Sequence, residues 1–504
     1  MKWTALLVVL TCLLLPSLTH AQPSADRQGA TDLLRNAIRA MGGEEALRGI
    51  HSLQFSATQE RNALEQSEWP EGPYIAEIDQ IREWRDFAGR RWKQAVNAQF
   101  AWLKNSINTV VTDGAAVRFV GGHAVPGGCQ DMQARDEALE LSPERILLTA
   151  VGSGDAHRLP EVSLHVAPQD VIAFTWRRSV VKLFLSRTTH LPSAMEWNQA
   201  YPCDTFWSVW GDVTTRVEYS LWWLAGSGIH YPLQMDIVRN GLPDRKITIT
   251  DLKLNESLSD SLFQIPAQAK AAFLAHPPAT VEERTLAVEK AQELAPGIVF
   301  FPGAWNTTLV KQEDGIVVLE APISSGYSGR VIAEAQRRYP GAPVKAVIST
   351  SDSWPHVGGI REYVARGVPV YVLDRTLPLL HRLVAAPRTR LPDALAHAPR
   401  TPRFVPVNGK TVIGSGPNRI ELYPINGQTT ERQMMAYFPG HKLLYGSDAF
   451  QRFDNQYFYP QTISEVRDAV AREHLNVVTF FMMHMEPTPW RELLKVHGGP
   501  IPQS

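Results

Sequence analysis

The stretch from Val344 to Gly367 constrains the architecture more than any other part of the chain. Val344, Ala346, Val347 and Ile348 form a short apolar run that reads as a buried strand. Ser351-Asp-Ser-Trp-Pro-His-Val357 follows as a polar loop. Gly358-Gly359 then opens a helix that puts Ile360, Tyr363 and Val364 on one face. A loop held at both ends by rigid elements is a common seat for chemistry, because the elements fix where its side chains point.

This strand, loop and helix resemble the opening motif of the metallo-β-lactamase superfamily, in which a strand runs into His-x-His-x-Asp-His-x-Gly-Gly. Anchored on Gly358-Gly359, the last histidine falls on His356. Pro355 stands at the aspartate position, and Ser351 and Ser353 stand at the first two histidines. The likeness continues downstream. Tyr437-Phe-Pro439 matches a later turn, and Thr429 occupies the histidine position before it. The strand at Lys442-Leu-Leu-Tyr-Gly-Ser-Asp448 keeps the family's aspartate as Asp448. The strand ending in Phe481-Met-Met-His484 puts His484 at the last ligand position.

The resemblance implies a C-terminal αβ/βα sandwich over residues 297–504 and a depleted metal site. The three histidines of the first zinc position are lost. His356, Asp448 and His484 remain from the second, enough for at most one zinc, since two imidazoles and a carboxylate with one open position make a catalytic set. Asp448 is the expected catalytic residue, and hydrolysis of an ester, amide or lactone the implied reaction. The opposing reading is a pseudoenzyme, because serine and threonine hydroxyls replace imidazole poorly on a borderline-soft metal. A further reading makes Ser351 or Ser353 a nucleophile with His356 as base, and Asp352 is the nearest acid in sequence. His381, His397, His441, His474 and His497 read as scattered surface or helix residues.

The chain starts with Lys2, an apolar run from Ala5 to Leu15, and Thr19-His-Ala21. This is the pattern of a signal peptide spanning residues 1–21, so a secreted or periplasmic location is expected. No later stretch reaches the ~20 apolar residues of a membrane span. The formal net charge of −1 falls by one more with Lys2 removed, which gives no reason to expect nucleic acid as a partner. In an oxidising compartment Cys129 and Cys203 could bridge two loops or remain as two thiols.

At 504 residues the chain has room for two or three domains. Residues 22–266 read as a domain rich in antiparallel strands, headed by a helix over 31–41 that Thr31 caps. Val217, Tyr219, Leu221 and Trp223 alternate with polar neighbours for most of their run, and Asn240-Gly241 marks a hairpin. The segment Ala40-Met-Gly-Gly-Glu-Glu-Ala-Leu-Arg-Gly-Ile-His-Ser-Leu53 resembles the start of periplasmic lipoprotein carriers. That resemblance implies a half-open sheet with a cavity for a small-molecule or lipid-like ligand, lined by Trp84, Trp92, Trp222 and Trp223; simple core filling is the competing role. On the pseudoenzyme reading this half would bind the ligand while the rest served as scaffold. Residues 267–296 read as linker and helix, the helix over Glu282–Leu294. Arg388, Arg390, Arg400 and Arg403 lie in a proline-stiffened loop, expected to be solvated unless it forms a lid or an anion-binding rim. The whole is an α+β protein.

Overall fold

In the computed structural model, residues 23–496 are described, apart from 66, 68, 101–102, 227, 454–455 and 459. The signal-peptide segment and His497 lie outside them.

Period-two alternation in the N-terminal half produces one thirteen-stranded sheet. It meanders outward on both sides of a seam where Ser52–Asn62 pairs antiparallel with Leu242–Leu254. Apolar side chains from one face, among them Phe55, Ile81, Phe174, Leu183 and Val217, pack with Leu34, Ala37 and Ile38 of helix Pro23–Ala40 and with Ile146 and Leu147 of helix Pro143–Gly152. The first helix starts before Thr31, which is therefore internal and not a cap; its hydroxyl donates to the Arg27 carbonyl. Trp84 and Trp92 are buried, Trp92 against Val111 and Phe273 and Trp84 against Val110 and Phe263. Trp222 is half-buried and Trp223 is 45 % exposed. Trp84, Trp92 and Trp222 thus pack in three separate apolar clusters. Cys129 and Cys203 are joined as a disulfide with Cα atoms 5.8 Å apart.

The segment after Pro266 contains helix Ala267–Ala275, but no helix forms over 282–294. Two single 3-10 turns, Val281–Glu283 and Val288–Lys290, lead into strand Gln292–Ala295. Tertiary contacts override helix propensity here. The Glu282 carboxylate accepts the Gly326 amide at 2.6 Å at the start of helix Ser325–Arg338, and the Arg330 guanidinium donates to the Glu282 carbonyl. Val281 and Leu286 are buried in the neighbouring core, which holds the segment flat.

Two sheets follow. The seven-stranded one runs from Gln292–Ala295 to Phe404–Val407 and becomes parallel from Gly315–Leu319 onward. The six-stranded one runs from Thr411–Ile413 to Met485–Pro489. Phe300, Val317 and Ile348 of the first sheet meet Leu422, Phe438 and Phe481 of the second, forming a core between them. The outer face of the first is covered by helices Ser325–Arg338, Ile360–Ala365 and Leu377–Ala385, and that of the second by Pro460–Arg472. These four layers are the expected αβ/βα sandwich, and the chain as a whole is α+β.

The halves share an apolar cluster. Tyr201, Trp207, Val209 and Trp210 from a connection of the large sheet, with Val213 of the strand that follows, pack with Trp354, Val357 and Leu380 of the sandwich. The arginine-rich loop is part of this junction and not a solvated rim at its start. Buried Arg388 donates to the Val209 carbonyl at 2.8 Å, and Asp212 accepts the Thr389 and Arg390 amides. No described helix is long and apolar enough to cross a membrane.

Candidate metal centre and its cavity

Three strand ends build the site, each at the carboxyl end of a strand with a parallel neighbour, where open α/β sheets leave room for ligands. Strand Val344–Ser349 leads through Ser351–Ser353 into the single turn Trp354–Val357, which carries His356. Pro355 fits at the turn's second position, where the missing amide proton is no loss. The two residues after the turn, Gly358 and Gly359, have no room for a side chain. A Cβ on Gly358 would lie 2.5 Å from the Ile323 carbonyl oxygen, and one on Gly359 2.0 Å from Ser328 Oγ. Their absence lets the start of helix Ser325–Arg338 pack directly against the His356 loop.

Strand Leu443–Tyr445 delivers Asp448 after Ser447, whose φ of 63° turns the chain. The Ser447 hydroxyl lies 2.8 Å from Thr350 Oγ1 and donates to the Thr350 carbonyl at 3.2 Å, tying the two loops together. Thr350 in turn meets the buried Glu320 carboxyl. Strand Thr479–Met482 delivers His484. Asn306 pins that strand end by donating to the Met482 carbonyl at 2.8 Å.

The three side chains converge. His356 Nε2 is 3.3 Å from Asp448 Oδ2, His484 Nε2 is 3.3 Å from Asp448 Oδ1, and the two Nε2 atoms are 3.4 Å apart. Among the described residues this trio is the group of His, Cys, Asp or Glu side chains that could hold a metal ion. Burial pushes the Asp448 carboxyl up to about 7. Burial likewise holds His356 well below the usual imidazole range, with His484 adding to the effect, and lowers His484 against the pull of the Ala304 carbonyl. Both imidazoles are thus kept neutral, the form that ligates metals.

The donor set fits a small divalent cation. The Ala304 carbonyl can only accept, so His484 Nδ1, 2.6 Å away, carries the proton and Nε2 presents a lone pair to the centre. Such a bond is the usual support that orients a ligating histidine. Tetrahedral zinc with Zn–N of about 2.0–2.1 Å has donor–donor edges of about 3.3–3.4 Å, and the two Nε2 atoms stand at that separation. With Nδ1–H tautomers on both rings, the two lone pairs and the carboxylate would repel unless a cation or a proton lay between them.

Ser351, Ser353 and Thr429 are not members of the convergent trio. Ser351 is buried, with its Oγ 3.5 Å from His356 Nδ1, and Ser353 Oγ has no partner. The Thr429 amide donates to Glu465 at 3.0 Å, which ties this loop to helix Pro460–Arg472. Asp352 does not orient His356. It pairs with Arg432, and Asp448 is the acid that meets His356.

A cavity of about 370 Å³ opens beside Asp448, with Ser351, Asp352 and Arg432 in one wall and Glu65, Ser67 and Ile75 of the N-terminal half in the other. Neither histidine lines it. Glu65 meets the cavity wall opposite, Ser351, Asp352, Arg432 and Asp448, only through the fold, because those residues lie hundreds of positions further along the chain. A faint signal was present, since the connection between Asn62 and Ala76 is longer than a hairpin requires. Glu320 also left a trace, as an acid ending an otherwise apolar strand.

No protein-family model matches the chain, and no curated protein matches it. Solved structures similar to it are metallo-β-lactamase-fold proteins. The DIM-1 metallo-β-lactamase is 14 % identical, with 41 % of this chain and 94 % of that one covered at a TM-score of 0.32. A metallo-β-lactamase from Pontibacter korlensis is 14 % identical, over 41 % of this chain and 95 % of its own, at 0.33. The sec-alkylsulfatase Pisa1 from Pseudomonas sp. is 14 % identical, over 40 % of each chain, at 0.31. At these scores and identities the comparison says nothing about chemistry, and the four-layer sandwich stands on its own sheet order and cores.

Proposed function

We propose that the protein is an exported hydrolase that works with one zinc ion held by His356, Asp448 and His484. The observation that carries this reading is the convergence of the three donor groups from three separate strand ends, with the His484 lone pair directed to the centre by Ala304. Bound there, zinc would act as a Lewis acid on an ester, amide or lactone carbonyl and make a nucleophile available near neutral pH. His356 and His484 would hold the ion as neutral ligands. Asp448, which also faces the cavity, would balance part of its charge and orient the reacting groups. The cavity walls would exclude bulk water and position the substrate. Zinc titration of the purified chain tests the reading: one tightly held equivalent is expected, and none would leave a binding or scaffold protein. Export is tested by intact mass, with cleavage after Ala21 expected in secreted or periplasmic material.

A second reading has one observation in its favour. His356 bridges Ser351 and Asp448 in a line, at 3.5 and 3.3 Å, which is the outline of a nucleophile, base and acid. The two readings need opposite tautomers of His356. Metal binding needs the Nε2 lone pair, whereas the serine reading needs Nε2–H donated to Asp448. Labelling of Ser351 by a fluorophosphonate in chelator-treated protein would select the serine reading, and its absence together with zinc binding would select the first.

A further inference from the structure

The charges around the cavity are unevenly matched. Glu65, Asp352 and Asp448 are its acidic lining residues and Arg432 its basic one. Arg432 is already committed, since its guanidinium pairs with Asp352 and donates to the Arg375 carbonyl at 3.1 Å. Asp448 is engaged by the two histidines. Glu65 is different. Among the described residues its carboxyl has no ion pair and no hydrogen bond to another residue's side chain. Arg61 bears on it from a distance, but that guanidinium pairs with Glu77 and lies 3.7 Å from Asp79. Arg382 lies across a narrow crevice of about 20 Å³ behind Glu65 and rests against Trp210. Burial without a partner pushes the Glu65 carboxyl up to about 7.

Further polar atoms in the wall are also unused. Ser353 Oγ, Arg432 Nε and Gln433 Oε1 are all buried and have no partner, and all three residues line the cavity. Buried polar groups are ordinarily satisfied, and three exceptions in residues that line one cavity leave its wall with unused polar capacity. These atoms offer an acceptor, a donor and a hydroxyl that can be either, so they do not set the sign of the guest's charge. The carboxyls do.

We propose that this cavity takes substrates bearing a cationic nitrogen, an ammonium or guanidinium group, and that Glu65 is the residue that recognises it. The proposal rests on reading the cavity as the substrate site of the hydrolase. A cation entering would give Glu65 the charge-assisted hydrogen bonds it lacks. An anionic substrate would meet three carboxyls and an arginine already neutralised, so its own charge would be desolvated without compensation. Because Glu65 belongs to the connection between the first two strands of the N-terminal sheet, that half of the chain supplies the selectivity while the sandwich supplies the metal ligands.

The test uses three probes of similar shape, benzylammonium, benzyl alcohol and benzoate, titrated calorimetrically into the whole chelator-treated chain at pH 8, so that no metal can capture benzoate. Benzylammonium is expected to bind at least tenfold more tightly than either of the others. In Glu65→Gln that preference should fall to within twofold. Benzoate binding as tightly as benzylammonium, no binding by any probe up to 10 mM, or an undiminished preference in Glu65→Gln would each overturn the proposal. Zinc affinity is measured separately on the same two proteins. Glu65→Gln should leave it unchanged; a parent chain that binds no zinc would count against the metal reading, and a parent chain without amine preference against this one.

Discussion

The proton on Nδ1 of His484 is fixed by the carbonyl oxygen of Ala304, 2.6 Å away, so the other ring nitrogen faces His356 and Asp448 as a lone pair. The prediction is that His484→Ala abolishes zinc binding and His356→Ala weakens it at least 100-fold. Ser353→Ala, which removes a hydroxyl with no partner, should change zinc affinity less than threefold. Isothermal titration with zinc measures all three, and two tightly held equivalents in the parent chain would mean that other ligands had been recruited.

Trp354 begins the turn that carries His356 and is held edge-on by Trp207 at 5.0 Å and Trp210 at 5.1 Å. Trp354→Ala should destabilise the chain by about 3–5 kcal/mol, the usual cost of emptying a buried aromatic site. Where the variant still folds, zinc affinity should fall with stability, because the turn loses its support from the N-terminal half. Denaturant midpoints paired with zinc titrations measure this. Unchanged zinc affinity in a destabilised variant would show that the turn holds its shape without the tryptophans.

What the sequence disclosed follows the range of the forces involved. The strand, loop and helix at 344–365 were legible because apolar period, glycines and loop polarity act within a few residues of one another. His356, Asp448 and His484 were legible as a set through their order along a family-like frame, not through any local signal. The helix expected over 282–294 fails because the Glu282 carboxylate caps helix Ser325–Arg338 instead of starting its own. Arg388 looked solvated because its acceptor, the Val209 carbonyl, lies 179 residues back along the chain. Glu65 left only the length of its connection between Asn62 and Ala76 as a trace, since a glutamate in a connecting loop is ordinarily in water.

The Cys129–Cys203 bridge ties the start of helix Cys129–Glu140 to the loop after strand Pro192–Ala200 across 74 residues. Closing a loop of that length restricts the unfolded chain by about 4 kcal/mol in the chain-entropy account. Cys129→Ala with Cys203→Ala should lower stability by up to that amount, measured by urea unfolding, while the zinc site, in the other half, keeps its affinity. Equal stability with and without the bridge would mean that strain in the folded state offsets the constraint.

Glu320 gives the last prediction, a pH dependence whose sign is set by burial. It ends strand Gly315–Leu319 at a φ of 76° and is 1 % exposed. Burial pushes its carboxyl up to about 8, against hydrogen bonds from Thr350 that favour the anion. The Thr350 hydroxyl has one proton and two neighbours, Glu320 Oε1 and Ser447 Oγ. A neutral Glu320 can donate to Thr350 and leave that proton for Ser447, so the neutral acid suits the clamp between the two loops. In the unfolded chain the group titrates near 4.5. Between about 4.5 and 8 the folded chain therefore binds the proton more tightly, and stability falls as pH rises through this window. The contribution is fully present below 4.5 and gone above 8, and amounts to a few kcal/mol. Glu320→Gln keeps an acceptor for Thr350 and removes the ionisation. Urea midpoints at pH 5 and pH 8.5 should thus diverge more in the parent than in Glu320→Gln. Parallel shifts in both proteins would show that Glu320 titrates as it does in the open chain.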